Sequence, residues 1–265
     1  MIRKLSGWIF LCFISFVPSE GSAATLQDLY AAGQEYYEQG QYQQAIEQYE
    51  KAVEINPNFA PLYNALGLAH QETATPLSDV IWFFKVATDI DPEYTEAYVN
   101  LCRAHAEAQQ FEKARDACLA ALEIVPTMGS AELQLAWVYL MGLKQPAQAI
   151  RYFQSVLAKV REPSVYYGLG LAYVEAGDHA RALETITTLR GLEEHDFATR
   201  LEDFLRSQTA APGTQEPSQI SLPQRTEGTL IEARPPTPQP PPARSAPVSG
   251  QMRIRLQGSL FGSDE

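Results

Sequence analysis

The chain has 265 residues, with 20 basic and 32 acidic side chains and a formal net charge of −12 at pH 7. This balance excludes the basic footprint that a nucleic-acid-binding surface needs, and it disfavours electrostatic binding to anionic lipid. The length would suit two ordinary domains, but an internal repeat makes length a poor guide to domain number.

The N-terminus has the three parts of a secretory signal peptide. Arg3 and Lys4 precede an uncharged, mostly apolar stretch over residues 5–17, and small residues surround Ala24. A basic region, a short apolar region and a small-residue cleavage site are typical of export signals, and this apolar stretch is too short to span a bilayer as a helix. We predict that residues 1–24 are removed after Ala24, which leaves 18 basic and 31 acidic side chains and a net charge of −13.

An exported chain without a second apolar run is expected to stay out of the membrane after cleavage. The sequence therefore predicts a periplasmic protein, with full secretion as the alternative.

Small residues then recur with a nearly constant period. They are Gly33, Gly67, Cys102, Ala136 and Gly170, at spacings of 34, 35, 34 and 34. A fixed period near 34 residues is the mark of a solenoid built from stacked helical hairpins. We therefore predict an all-α fold with about five helix pairs.

The first repeat shows how each pair is built. Leu29, Gly33 and Tyr36 lie on one face of a first helix, and Ala45 and Tyr49 follow on a second. Small residues let two helices approach closely, while aromatic side chains fill the space beside the contact. The second helix is expected to end before a proline, which lacks an N–H and restricts the residue before it.

This pattern resembles the tetratricopeptide repeat (TPR) family over roughly residues 26–190. Residues 64–69 and 167–173 are similar to the first helix of that motif, and residues 40–46 are similar to its turn into the second helix. The resemblance implies a right-handed superhelix whose concave face is made by the first helix of each pair. It also implies a non-catalytic protein that binds other polypeptides.

Three departures from the family pattern affect local structure. The second repeat has one extra residue near Thr75 and Pro76, and the fourth has Glu132 where an aromatic residue is usual. The fourth and fifth repeats lack the closing proline at its usual place. These departures predict shifted helix boundaries within the same fold.

An amphipathic stretch after Gly191 is expected to form a capping helix, because the open end of a solenoid needs a polar outer face. The TPR domain is thus predicted to cover residues 25–206. Residues 207–265 form a proline-rich, apolar-poor tail that is predicted to be disordered. Residues 252–261 alternate apolar and polar side chains, which fits either a short strand that pairs with a partner's sheet or an unstructured terminus.

The candidate binding site is the concave groove, where side chains one position round each first helix from the buried pattern should face a ligand. The predicted groove residues are Tyr30, Gln34, Tyr37, Asn64, Leu68, Gln71, Arg103, Leu133, Trp137, Leu140, Met141, Tyr167 and Leu171. Apolar side chains concentrate in the fourth and fifth repeats, with Trp137 as an aromatic anchor. The alternative is that Trp137 and Leu140 contact the neighbouring repeat and belong to the core.

Two cysteines, Cys102 and Cys118, face each other across the two helices of the third repeat. A disulfide is an open alternative in an exported protein, provided that the Cα atoms lie within about 7 Å. We favour two small buried free thiols instead.

Neither a metal site nor a catalytic set emerges from the sequence, and no cofactor is expected. His70 and His105 occupy equivalent positions, but two histidines without a third ligand make a poor zinc site. Their counterparts in other repeats are tyrosines, which pack between helices with a polar tip in solvent.

The leading hypothesis is a non-catalytic scaffold that holds a peptide segment of a protein partner in the concave groove. Assembly of a cell-envelope or secretion complex is the expected role. An alternative is a self-regulated adaptor whose residues 252–261 occupy its own groove until a partner displaces them. An enzyme, as a third hypothesis, would need a polar cluster that the sequence does not supply.

Overall fold

The computed structural model describes residues 24–209, and within this range it contains eleven α-helices and no strands. The helices are α1 (Leu26–Glu38), α2 (Tyr42–Ile55), α3 (Ala60–Gln71), α4 (Leu77–Ile90), α5 (Thr95–Glu107), α6 (Phe111–Ile124), α7 (Gly129–Trp137), α8 (Pro146–Leu157), α9 (Pro163–Glu175), α10 (His179–Gly191) and α11 (His195–Thr209). Helices α1 to α10 form five consecutive hairpins, and α11 follows them. The predicted all-α solenoid with a capping helix is confirmed.

The period of small residues marks the closest approach of the two helices in a hairpin. A Cβ atom added to Gly67 would lie 2.6 Å from the ring of Phe84, and one added to Gly33 would overlap the ring of Tyr49. Both rings are buried. In these two hairpins the small residue is needed because an aromatic side chain of the second helix takes the space that a Cβ on the first helix would occupy.

Neighbouring hairpins stack on each other through clusters of apolar side chains that both hairpins contribute. Leu62 and Leu66 on α3 are fully buried beside α2, and Val80 and Phe84 on α4 are fully buried in a cluster that extends to the third hairpin. Three hydrophobic clusters thus follow one another along the solenoid, because neighbouring hairpins bury apolar side chains against each other.

The fourth hairpin departs from regular helix geometry. Helix α7 ends at Trp137 and continues as a π-helical turn over Val138–Gly142, in which the N–H of Leu143 donates to the carbonyl of Val138 at 3.0 Å. A Cβ atom on Gly142 would overlap the ring of Phe111 on α6. The wider turn thus brings the end of this helix against the preceding hairpin, which the sequence pattern did not predict.

Glu132, the departure from the usual aromatic position, is buried in this hairpin. Its carboxylate accepts a hydrogen bond from the hydroxyl of Ser155 on α8 at 2.8 Å and forms an ion pair with Lys159, which follows the end of α8. Lys159 also donates to the carbonyl of Thr127. A polar residue is tolerated here because its charge is paired and hydrogen-bonded.

Helix α11 closes the C-terminal end of the solenoid. Ala198 and Leu201 are fully buried in the core that α9 and α10 form, and Leu205 is nearly so. Glu202 on the outer face pairs with Arg190 of α10 and with Arg206. The helix runs to Thr209, three residues beyond the predicted end of the domain.

No helix among the described residues is both long and apolar enough to cross a membrane. The predicted signal peptide and the predicted tail from residue 210 onward lie outside the described residues, as does the segment 252–261.

Candidate peptide-binding groove

The predicted groove residues lie on the first helices of the hairpins, namely α1, α3, α5, α7 with its π-helical turn, and α9. They fall into a polar part on α3 and α5 and an apolar part on α7 and α9. The two parts differ in how much of their surface is available to a ligand.

In the polar part, hydrogen bonds connect side chains of α3 with side chains of α5. The amide of Asn100 donates to the side-chain oxygen of Asn64 at 2.8 Å, and Arg103 donates to the side-chain oxygens of Asn100 and Gln71 at 3.0 and 3.2 Å. Gln71 in turn donates to both carboxylate oxygens of Glu107, at 3.0 and 2.9 Å. We call Asn64, Gln71, Asn100, Arg103 and Glu107 the polar cluster.

Each amide of the polar cluster has a fixed orientation. Asn100 accepts from a guanidinium and donates to Asn64, while Asn64 donates to the hydroxyl of Tyr94 at 3.3 Å. Burial raises the pKa of Tyr94, so this hydroxyl stays protonated at neutral pH. The side chains are therefore preorganised before any ligand arrives.

Access to the polar cluster is graded. Asn64 is buried at 7% exposure and forms the floor. Gln71, Asn100 and Arg103 are half-buried, and Glu107 is exposed. A ligand on this surface would meet a guanidinium, two amides and a carboxylate.

Besides Asn64, four of the predicted groove residues are buried, and these four belong to the hydrophobic core. Leu140 and Leu171 are 2% exposed, Tyr167 is 4% exposed and Tyr30 is 9% exposed. The prediction that these four residues line an open groove is therefore wrong.

The causes of this burial are local. The ring of Tyr167 lies 5.2 Å from that of Phe197, and the guanidinium of Arg200 lies over it at 5.3 Å, so α11 covers it. Tyr30 packs against the ring of Phe59 at 5.8 Å. Leu140 lies in the π-helical turn, whose wider winding changes which side chains point inward.

Trp137 combines the two alternatives considered for it. Its ring meets that of Phe153 edge-on at 5.2 Å, and a Cβ on Gly168 of the next hairpin would lie 3.0 Å from it. The side chain nevertheless stays half-buried, as do Leu133 and Met141 beside it. These three residues form a partly accessible surface that we call the apolar shelf.

The remaining predicted groove residues, Gln34, Tyr37 and Leu68, are half-buried on α1 and α3. The ring of Tyr37 meets that of Tyr42 edge-on at 5.4 Å. They extend the accessible surface toward the N-terminal hairpin.

Asn100 and Glu107 were missed as groove residues. The prediction took positions equivalent to Asn64, which lies three residues before Gly67. Asn100 lies only two residues before Cys102, so it does not occupy the equivalent position. The spacing of 36 between two asparagines on neighbouring first helices was a usable signal.

Cys102 and Cys118 form a disulfide, with their Cα atoms 5.3 Å apart. This corrects the preference for free thiols. The two helices approach closely here because alanines flank the pair at Ala114 and Ala121, and the resulting Cα separation lies in the range that a disulfide needs.

The two equivalent histidines interact within their own hairpins. Nδ1 of His70 lies 3.0 Å from the hydroxyl of Thr75, and Nδ1 of His105 lies 3.0 Å from the side-chain oxygen of Gln110. Among residues 24–209, no group of three or more potential ligand side chains is placed to hold a metal ion.

Comparison with known families identifies the repeat. A family model described as "TPR repeat" matches residues 33–73, and one described as "Tetratricopeptide repeat" matches residues 138–191. Superkiller protein 3 of Schizosaccharomyces pombe is 26% identical over 149 residues, which are 54% of this chain and 11% of that protein. This chain therefore spans only a small part of that relative's length.

Solved structures show the same fold. A structure of PilW, described as a widely conserved type IV pilus biogenesis factor, is 19% identical with a TM-score of 0.60 and covers 68% of this chain and 82% of its own. The Pseudomonas aeruginosa pilF protein is 22% identical with a TM-score of 0.56, covering 71% and 93%. MamA from Desulfovibrio magneticus is 18% identical with a TM-score of 0.60, covering 66% and 98%.

Proposed function

Because this chain is a tetratricopeptide-repeat protein, a non-catalytic scaffold for contacts between proteins, we propose that it binds an extended peptide segment of a partner across α3, α5 and α7. The observation that supports this proposal is the polar cluster, in which hydrogen bonds join two neighbouring first helices in one fixed arrangement. Preorganised side chains lose little further conformational entropy when a ligand binds.

The chemistry of the polar cluster suits a peptide backbone. A backbone offers alternating N–H donors and carbonyl acceptors. Arg103 and the amide of Gln71 supply donors, and the carboxylate of Glu107 supplies an acceptor, all on accessible surface. These side chains would set the register of the bound segment.

The apolar shelf gives the second half of the site. Leu133, Trp137 and Met141 are half-buried, so an apolar side chain of the peptide would remove their remaining surface from water. A ligand with a polar stretch followed by an apolar anchor fits this order of surfaces along the solenoid. The acidic net charge of −12 favours a partner of basic character, since opposite charges accelerate encounter.

Assembly of a cell-envelope or secretion complex is the proposed cellular role. Two features support it: the predicted export signal, and the shared fold with PilW, which is described as a pilus biogenesis factor. The likeness to PilW concerns the fold, and the role itself is our proposal.

Site-specific photocrosslinking in cells tests the proposal. A photoreactive residue replaces Leu68, which lies on α3 next to the polar cluster, and the matched control carries it at the exposed Lys113 on α6. We expect one partner to be captured from position 68 and not from position 113. Equal capture from both positions would contradict a groove site.

Binding of the captured partner is then measured with Arg103→Gln, which removes the guanidinium, and with Arg115→Gln as a control. Arg115 lies on α6 and pairs only with the adjacent Asp116 among the ion pairs of the described residues. We expect Arg103→Gln to weaken binding about tenfold or more, the usual effect of losing a charged hydrogen bond, and Arg115→Gln to leave it unchanged. Unchanged binding by Arg103→Gln, with an intact helical circular dichroism spectrum, would overturn the assignment.

A further inference from the structure

The disulfide between Cys102 and Cys118 lies at the centre of the solenoid. Both residues have no exposed surface. They are buried in one cluster with Phe84 of the second hairpin and with Leu135 and Val138 of the fourth. Reagents in solution therefore cannot reach either sulfur while the second, third and fourth hairpins are packed together.

Formation of this bond by exchange requires direct contact between sulfur atoms. The thiolate of one cysteine attacks a sulfur of an oxidant disulfide, breaks its S–S bond and releases one thiolate. The second cysteine thiolate then attacks the mixed disulfide, which closes the bond between Cys102 and Cys118 and releases the second thiolate. The two cysteines lose two electrons and two protons, and the oxidant is reduced to a dithiol or to two thiols.

We propose that a thiol–disulfide oxidant closes the third hairpin before the second and fourth hairpins pack against it. The local geometry makes this order feasible. The cysteines are 16 residues apart on consecutive helices, so a hairpin of α5 and α6 alone brings them together. Their partners Phe84 and Leu135 arrive from the two neighbouring hairpins.

Formation of the disulfide before the hairpins pack has a consequence for the folded protein. Once the neighbouring hairpins have packed, the bond is sealed from reductants as well as from oxidants. It then holds α5, the helix that carries Asn100, Arg103 and Glu107, against α6 whatever the redox state of the surroundings. The chain is thus a substrate of disulfide exchange only while it folds.

The experiment compares exchange in the folded and unfolded full chain. Peptides containing Cys102 and Cys118 are followed by mass spectrometry after alkylation, so that Cys12 does not interfere. Oxidised protein receives dithiothreitol in native buffer or in concentrated urea, at equal pH. We expect reduction in native buffer to be at least about a hundredfold slower, because it must wait for an opening of the packed core.

The reverse arm starts from reduced protein. Oxidised glutathione is added either before refolding begins or after it is complete. We expect the bond to form at least about a hundredfold more slowly in the second case. A reduced chain that fails to refold at all would also support the proposal, since oxidation would then have to come first.

Two results would overturn the proposal. One is equal rates of oxidation before and after refolding, which would show that the sulfurs are reached in the folded chain. The other is that protein produced under oxidising conditions and then unfolded in urea contains no disulfide between Cys102 and Cys118. The variant with Cys102→Ala and Cys118→Ala is the control, because neither of its two corresponding peptides contains a cysteine to alkylate.

Discussion

Cys102 and Cys118 form a covalent bond at the place in the third hairpin where Gly33 and Tyr49 meet in the first. In the first hairpin a glycine makes room for an aromatic ring of the opposite helix. In the third hairpin, the small side chains of Cys102 and Cys118 extend toward each other from the two helices. The repeat period therefore marks the same contact in both hairpins, but the third replaces van der Waals packing by a cross-link.

The cross-link is expected to stabilise the fold. Protein that is reduced in urea and refolded under dithiothreitol loses the bond while both sulfur atoms remain. For a loop closed by cysteines 16 residues apart, its free energy of unfolding should fall by about 3 kcal/mol. Urea unfolding followed by circular dichroism measures the difference.

The variant with Cys102→Ala and Cys118→Ala separates the bond from packing. Because this variant also lacks the sulfur atoms, its free energy of unfolding should lie about 1–2 kcal/mol below that of the reduced protein. Equal stability of oxidised and reduced protein would contradict a stabilising role.

Gly67→Ala tests the claim that small residues exist to make room for a ring. The new Cβ would lie 2.6 Å from the ring of Phe84, which is fully buried and cannot move aside freely. Overpacking costs about 1–3 kcal/mol, while alanine gains about 1 kcal/mol in helix propensity. We expect a net loss of up to about 2 kcal/mol in the free energy of unfolding, measured by thermal or urea denaturation.

Gly129→Ala is the matched control. Gly129 begins α7, and a Cβ there would meet nothing within 4 Å. This variant should be neutral or slightly more stable. If Gly67→Ala were as stable as Gly129→Ala, close helix contact would not explain the repeat.

The buried carboxylate of Glu132 is expected to depend on Lys159. Lys159→Met leaves the carboxylate with Ser155 as its remaining side-chain partner, and we expect a loss of about 1–3 kcal/mol. The double variant Glu132→Leu with Lys159→Met replaces the pair by apolar groups, as in the first hairpin, where Leu29 occupies the equivalent position. It should be close to the unmodified protein.

A double-mutant cycle that includes Glu132→Leu alone gives the coupling energy from urea unfolding. Strictly additive effects of the two single substitutions would show that the ion pair contributes nothing beyond its parts.

The fold was predictable because the same contact repeats. Gly33 and Gly67 each receive a ring from the opposite helix, so one period in the sequence reports several helix pairs. The capping helix was predictable for a related reason. Leu201 and Leu205 lie on one face at helical spacing, with charged residues on the other.

The groove was less predictable because equivalent positions are not equally exposed. Leu68 and Leu171 follow their glycines by one residue, yet Leu68 is half-buried and Leu171 is 2% exposed. Leu171 belongs to the cluster that includes residues of α11, the helix that packs against α9. No periodic pattern predicts the π-helical turn over Val138–Gly142, since its sequence is apolar throughout.

Hydroxyl groups beside His70 determine where its imidazole carries a proton. The hydroxyl of Thr73 donates to the backbone carbonyl of His70 at 2.9 Å, so it can only accept from Thr75 at 2.7 Å. The single proton of Thr75 is thereby used, and Nδ1 of His70 must donate to it at 3.0 Å. Nε2 is then the unprotonated nitrogen, and it is buried with no hydrogen-bond partner among the described residues.

Acidification must place a second proton on this buried Nε2. Burial lowers the pKa of His70 below its ordinary value near 6.5, and the negative charge of Asp79 on α4 opposes the shift only in part. Between the two pKa values the unfolded chain binds more protons than the folded one, so stability rises with pH in that window. We expect the contribution of His70 to be complete above about pH 6.5 and to diminish as the pH falls toward the lowered pKa.

His70→Tyr removes the titration and introduces the residue found at the equivalent Tyr36. Unfolding free energies at several pH values between about 4.5 and 7.5 should show a smaller loss on acidification for this variant than for the unmodified protein. His105→Tyr is the comparison. Burial and the positive charge of Lys113 lower the pKa of His105, and its hydrogen bond with Gln110 counteracts the shift. Among the described residues His70 has a buried ring nitrogen without a hydrogen-bond partner and His105 does not, so substitution of His105 should change the slope less. An identical pH slope with and without His70 would show that the buried nitrogen gains its proton at no cost to the fold.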